Sequence, residues 1–141
     1  MDADLLRRAR GVRLVTFDVD GVLTDGRIYV DDHGHEMKAF SALDGVGLNL
    51  LARAGIAVAW ITGSNAPAVA HRARRLNVKH VLLGATDKLT PWQGLRTELG
   101  IAAEECAHVG DDHDAGQDER SRGQRPEDAA AREPEPGEHD G

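Results

Sequence analysis

The sequence predicts an α/β fold: a doubly wound, Rossmann-like parallel sheet that carries a small inserted β-hairpin. Apolar runs typical of strands buried on both faces alternate with helical patterns, which indicates parallel strands joined by helices. Of the 141 residues, 40% are hydrophobic and 29% charged, a composition typical of a globular domain. A single such domain is expected over residues 1–112, followed by an acidic tail over 113–141.

Four apolar runs predict the strands of the sheet. The first, VRLVTFDV at 12–19, ends in acidic residues. The other three are IAVAWIT at 56–62, HVLLG at 80–84 and CAHVGD at 106–111. Their lengths and their β-branched and aliphatic content favour strands over helices.

Capping and stop signals predict three helices between the later strands. The first follows the capping pattern of Ser41 and Asp44 and stops at Gly55. The second, opened by an Asn-x-Pro pattern, reaches Leu76, and the third spans 89–99. Each helix therefore connects two consecutive strands.

Two short strand-like segments after the first strand predict the inserted β-hairpin. They are RIYV at 27–30 and EMKAF at 36–40, and the intervening DDHGH favours a turn. This pair departs from the alternation of strands and helices in the rest of the chain.

Charge and composition argue against several functional classes. The net charge of −7 repels phosphate backbones, and an aromatic content of 4% does not suit base stacking. No apolar run approaches 18 residues and no signal peptide is evident, so neither membrane insertion nor secretion is expected. A single cysteine, Cys106, indicates a reducing compartment such as the cytoplasm. No dinucleotide-binding fingerprint or P-loop occurs.

Polar residues follow the predicted strands at their carboxyl ends, where open α/β sheets bind ligands. In strand order they are Asp18 and Asp20, then Thr62, Gly63 and Ser64, then Asp87 and Lys88, then Asp111 and Asp112. We expect carboxylates, a hydroxyl and an ammonium to meet at this edge of the sheet.

These residue types suit the hydrolysis of a phosphate ester. Clustered carboxylates repel each other unless a cation lies among them, and their oxygen atoms suit Mg²⁺. One carboxylate can attack phosphorus and form an aspartyl-phosphate, while a neighbouring acid protonates the leaving group and then activates water. Thr62 and Lys88 would bind phosphoryl oxygens.

The order of these motifs resembles that of the haloacid dehalogenase superfamily. FDVDGVLTDG at 17–26, ITG at 61–63, Lys88 and VGDD at 109–112 are similar to its four motifs. Over about residues 11–112 the chain is similar to a small subclass without a large cap domain, which hydrolyses 3-deoxy-D-manno-octulosonate 8-phosphate.

The resemblance implies a role for each candidate residue. It implies Asp18 as nucleophile and Mg²⁺ ligand, and Asp20 as acid/base that also contacts phosphate and gives its backbone carbonyl to the metal. It implies that Thr62, Gly63 and Lys88 bind phosphate. Asp111 would be the third metal ligand, and Asp112 either supports the metal ligands or is structural. It also implies a homo-tetramer assembled through the hairpin 27–40, and a place in cytoplasmic lipopolysaccharide sugar synthesis.

The chain departs from this family pattern in two places. Ser64 stands where the family has arginine. Beyond Asp112 nothing resembles the family, and Ala115 occupies the position of an expected acid. Residues 113–141 carry a net charge of −5 and no large apolar side chain, so we expect a disordered tail, a truncated or frame-shifted C-terminus, and impaired stability and activity.

Three alternatives remain open at this point. The substrate is another sugar phosphate, such as an acylneuraminate 9-phosphate; or the chain is an inactive remnant; or it is a receiver-like phosphoacceptor module. The last places its phosphoacceptor aspartate after the third strand, where HVLLGATDK offers no acid at the strand end.

Overall fold

The fold is that of a computed structural model, which describes residues 2–110. In chain order the elements are α1 (Ala3–Arg10), β1 (Leu14–Phe17), β2 (Tyr29–Val30), β3 (Glu36–Met37), α2 (Ala42–Arg53), β4 (Ala57–Ile61), α3 (Pro67–Arg75), β5 (His80–Leu82), α4 (Leu89–Glu98), a short 3-10 helix (Ala103–Glu105) and β6 (Cys106–Val109). The expected alternation of strands and helices is confirmed.

Strands β5, β4, β1 and β6 form one parallel sheet in that order. In register, Leu14 of β1 lies beside Ala57 of β4 on one side and Cys106 of β6 on the other. All four predicted strands are present, each shorter than its apolar run. Their carboxyl ends lie along one edge, which is where the candidate site was expected.

Helices cover both faces of this sheet. Val58 and Trp60 of β4 belong to an apolar cluster that includes residues of α2 and α3. Ala59, which lies between them in the chain, belongs instead to a cluster with Leu95 of α4. Since successive side chains of a strand point to opposite faces, the sheet is doubly wound as predicted.

The ends of the helices follow the predicted signals closely. The Ser41 hydroxyl accepts a hydrogen bond from the Asp44 N–H at 3.4 Å and caps α2. Beyond the end of that helix Gly55 takes φ +78°, a conformation that glycine adopts without strain. The N-terminal helix α1 was not predicted; it contains no buried residue, so it contributes no side chain to the core.

The inserted hairpin is confirmed as an antiparallel pair outside the main sheet. The Asp31 carboxylate organises its turn, because Oδ1 accepts the N–H groups of His33 and His35 at 2.8 Å. At the base of the hairpin, Thr24 and Phe40 form an antiparallel bridge. The hairpin is thus tied both to the loop after β1 and to the start of α2.

Some predictions fall outside the described residues. These are the metal-ligand role of Asp111, the supporting role of Asp112, and the disordered tail over 113–141. Within residues 2–110, no helix combines the length and apolar character needed to cross a lipid bilayer.

Candidate active site

The loop after β1 is the framework of the site. The Val19 carbonyl accepts the N–H groups of Leu23 and Thr24 at 2.9 and 3.1 Å, which closes a tight turn directly after the strand. The Thr24 hydroxyl accepts the N–H groups of Gly21 and Gly26 at 3.1 and 3.2 Å. Thr24 was not among the predicted site residues, although a hydroxyl beside the glycines of a turn is a recognisable signal.

Asp18 lies at the carboxyl end of β1 and is almost fully buried. Its backbone N–H donates to the Val109 carbonyl of β6 at 2.9 Å. Its Oδ1 accepts the Val19 N–H at 2.7 Å, and its Oδ2 accepts from the Lys88 ammonium at 3.0 Å. Lys88 directly precedes α4, and its contact with Asp18 joins the first and third predicted motifs.

Asp20, two residues further along, is held by a different lysine. Lys38 of the hairpin donates from Nζ to Asp20 Oδ1 at 2.5 Å. The two predicted carboxylates therefore each contact their own ammonium group. Lys38 was not among the predicted site residues, because the sequence pattern of the hairpin does not reveal what its side chains contact.

Thr62 and Gly63 follow β4 at the same edge of the sheet. Thr62 is almost fully buried, and its hydroxyl accepts the Ser64 N–H at 3.1 Å. Its backbone carbonyl accepts the Ala85 N–H at 2.9 Å, which ties the loop after β4 to the loop after β5. An added Cβ at Gly63 would meet only the Ala85 carbonyl, at 3.8 Å, so packing alone does not require glycine there.

His108 of β6 is a further polar residue that sequence analysis did not single out. Its Nδ1 lies 2.8 Å from the Thr16 hydroxyl of β1. Partial burial lowers the pKa of this imidazole, the nearby Lys88 ammonium lowers it further, and the Asp18 carboxylate opposes them. The ring is therefore neutral at pH 7.

The donor atoms near the end of β1 suit a hard cation only in part. Asp18 and Asp20 supply oxygen ligands of the kind that Mg²⁺ prefers. Among residues 2–110, no three metal-ligating side chains of His, Cys, Asp or Glu are grouped together. The predicted third ligand, Asp111, directly follows the described range.

A cleft of about 710 Å³ opens between the hairpin and the loop after β4. Its lining includes His35 and Glu36 from the hairpin, Gly63 and Ser64 from the loop, and His71 from α3. This volume lies within the range of small-molecule sites. Ser64, which departs from the family pattern, is thus part of the cleft wall.

The chain is similar to known phosphatases in sequence, although no protein-family model matches it. It is 42% identical over 112 residues to 3-deoxy-D-manno-octulosonate 8-phosphate phosphatase from Escherichia coli K12. The match covers 79% of this chain and 60% of that relative. The chain thus spans about three fifths of the length of the curated relatives it matches.

Solved structures agree with this similarity. One is described as a HAD superfamily (subfamily III A) hydrolase from Legionella pneumophila; its TM-score is 0.75 at 42% identity, covering 77% of this chain and 59% of that one. Another is the 3-deoxy-D-manno-octulosonate 8-phosphate phosphatase from Moraxella catarrhalis in complex with magnesium, phosphate and KDO. Its TM-score is 0.75 at 40% identity, covering 79% of this chain and 64% of that one.

Proposed function

This chain belongs to the haloacid dehalogenase superfamily, and from that membership we propose that it is a Mg²⁺-dependent phosphomonoesterase. The proposed substrate is 3-deoxy-D-manno-octulosonate 8-phosphate, which the enzyme hydrolyses to the free sugar acid and phosphate. The observation that carries the proposal is the contact between Asp18 Oδ2 and Lys88 Nζ, which are 3.0 Å apart. A second carboxylate, that of Asp20, lies two residues after Asp18 in the chain.

Asp18 is the nucleophile in this proposal. A carboxylate oxygen of Asp18 attacks phosphorus, the bond from phosphorus to the sugar oxygen breaks, and an aspartyl-phosphate forms. Asp20 supplies a proton to the departing alkoxide. Asp20 then takes a proton from the water that attacks the aspartyl-phosphate, which releases phosphate and restores the Asp18 carboxylate.

Lys88 and the loop after β4 bind the phosphoryl group. The Lys88 ammonium already lies beside the attacking carboxylate, so it is placed to attract phosphoryl oxygens as well. Thr62 and Gly63 bind further oxygens at the same edge. Mg²⁺, when bound, neutralises charge among the carboxylate and phosphoryl oxygens; Asp18, the Asp20 carbonyl and Asp111 would hold it, with Asp112 in support.

The test is phosphate release from a panel of sugar phosphates with Mg²⁺ or with a chelator. We expect release from 3-deoxy-D-manno-octulosonate 8-phosphate that the chelator abolishes. Because Ser64 lines the cleft where the family has arginine, an acylneuraminate 9-phosphate belongs in the panel as the second candidate substrate. No release from any ester would indicate an inactive remnant, and a stable phosphoprotein after acetyl phosphate treatment would indicate a receiver-like module.

We also propose that the chain forms a homo-tetramer through the hairpin 27–40. Apolar side chains of this segment are exposed: Ile28 by 53%, Tyr29 by 44%, Val30 by 63% and Met37 by 60%. Exposed apolar residues grouped on one small element are typical of an interaction surface.

The cytoplasmic location expected from the sequence likewise stays a prediction.

Light scattering of a hairpin variant tests the tetramer. The double change Val30→Lys and Met37→Lys should convert a tetramer to smaller species, because it places charge on the exposed apolar surface. The control is Leu89→Lys, which alters a residue of α4 that is exposed by 59%. A mass of one chain for the unmodified protein would contradict the proposal.

A further inference from the structure

We propose that Lys38 is the positioning residue for Asp20, fixing the carboxyl group in the direction from which it protonates the leaving group. The inference deepens the proposed function and rests on it, since Asp20 acts as an acid only in that reaction. The observation behind it is the ion pair between the hairpin and the loop after β1.

The two members of the pair differ sharply in their access to solvent. The Lys38 side chain is 1% exposed, whereas the Asp20 side chain is 36% exposed. Lys38 Nζ lies 2.5 Å from Asp20 Oδ1 and 3.8 Å from Glu36 Oε2. The ammonium is therefore enclosed by the protein, while the carboxylate it holds remains within reach of a substrate.

The hairpin holds Lys38 rigidly in this place. Met37 is exposed, whereas the side chains of Lys38 and Phe40 are turned inward. Phe40 stacks on the buried Trp60 with ring centroids 6.1 Å apart, and its backbone bridges Thr24. Since Phe40 is anchored in the core, the stem of Lys38 two residues earlier has little freedom to move.

Burial of the ammonium fixes the carboxylate in turn. A buried charge is costly to keep unless a partner of opposite charge contacts it. Among residues 2–110, rotation of the Asp20 side chain away from Lys38 would leave the ammonium only the carboxylate of Glu36, at 3.8 Å. The pair through Oδ1 thus restrains the orientation of the whole carboxyl group.

This arrangement also keeps the two catalytic carboxylates apart in function. Lys88 contacts Asp18, and Lys38 contacts Asp20. The two ammonium groups come from different parts of the chain: Lys88 directly precedes α4, and Lys38 belongs to the hairpin. A change at Lys38 should therefore affect proton transfer to the leaving group and leave the nucleophile in place.

The identity of the leaving group separates these two effects. An alkoxide leaving from a sugar phosphate needs a proton as the ester bond breaks. A p-nitrophenolate leaves without one, because its negative charge is delocalised over the ring. The value of kcat/KM covers the steps up to release of the leaving group, so it reports this proton transfer directly.

The experiment compares Lys38→Met in the full chain on both kinds of ester. Methionine occupies the space of the buried aliphatic part of the Lys38 side chain and carries no charge. The matched control is Lys79→Met, which replaces an exposed lysine. We expect kcat/KM for 3-deoxy-D-manno-octulosonate 8-phosphate to fall about 10- to 100-fold in Lys38→Met. This is part of the rate enhancement that a general acid usually provides. For p-nitrophenyl phosphate it should fall less than about threefold, and Lys79→Met should leave both unchanged.

A second variant and thermal melting test whether a loss of activity is due to misfolding. Lys38→Gln keeps an N–H donor on a shorter chain, and thermal melting of both variants establishes that they are folded. Equal losses on the two esters in a folded variant, or no loss on either, would overturn the positioning role. Absence of phosphate release by the unmodified chain would instead overturn the proposed function, and this inference with it.

Discussion

Thr24 is the side chain on which the loop after β1 depends. Its hydroxyl accepts two backbone N–H groups, from Gly21 and Gly26. Thr24→Val keeps the shape but removes the acceptor, so two N–H groups lose their partner. We expect the free energy of unfolding to fall by about 1–3 kcal/mol in urea titrations.

A matched substitution shows whether this loss is specific. Thr97→Val removes a hydroxyl from an exposed position on α4 and should change stability by less than about 0.5 kcal/mol. Equal effects of the two substitutions would show that the Thr24 hydroxyl does not hold the loop.

His108 makes stability depend on pH. Its folded-state pKa is lowered, chiefly by burial, whereas in the unfolded chain it has its ordinary value near 6.5. The unfolded chain therefore binds a proton more readily as the pH falls through 6.5, and the free energy of unfolding decreases. Urea titrations at pH 7.5 and 5.5 should show a smaller decrease in His108→Gln; an identical decrease would contradict this account.

Some of the candidate site residues could be predicted from the sequence, and others could not. Asp18, Asp20, Thr62 and Lys88 could be found because each occupies a recognisable position after a strand, and the structure places Lys88 against Asp18. Lys38 could not, because its contact with Asp20 depends on how the hairpin folds over the loop after β1.

The hairpin turn depends on the ionised Asp31 carboxylate. Hydrogen bonds from the His35 backbone and ring, and from the His33 backbone, hold the pKa of this carboxyl below its usual value of 3.8. A lowered pKa means that the stabilisation is present above pH 3.8 and is lost as the pH falls through the folded-state value.

Amide hydrogen exchange tests the role of Asp31. In Asp31→Asn the N–H groups of His33 and His35 should exchange faster, because their charged acceptor is lost. Asp32→Asn, one residue along the same turn, serves as the control and should leave their exchange unchanged. Unaltered exchange in Asp31→Asn would show that the turn does not need the carboxylate.

Elements with strong local signals were predicted well. The cap at Ser41 and the glycine at position 55 mark the ends of α2 in sequence and in structure. Strand limits were predicted too long, since the apolar run continues into loops that are also buried, as at Val19. Helix α1 was not predicted, although Leu5, Leu6 and Ala9 have helical spacing; none of its residues is buried.

At the scale of the whole molecule, the parallel sheet brings Lys88, which follows β5, against Asp18 at the end of β1. We expect Mg²⁺ to raise the melting temperature, because a cation bound to the folded chain alone stabilises it by about 2.7 kcal/mol at a hundredfold excess over Kd. Asp18→Asn should remove most of this shift. The exposed Asp25, whose Oδ1 accepts the Arg27 N–H, supplies the control Asp25→Asn, which should retain it. An equal shift in both variants would place the cation elsewhere.

The covalent step itself can be captured by mixing the chain with Mg²⁺ and substrate, quenching in acid within a turnover, and mapping the phosphorylated peptide by mass spectrometry. We expect one phosphoryl group on Asp18, and none in Asp18→Asn. Phosphate release without any phosphorylated peptide, or with the phosphoryl group on another residue, would contradict it.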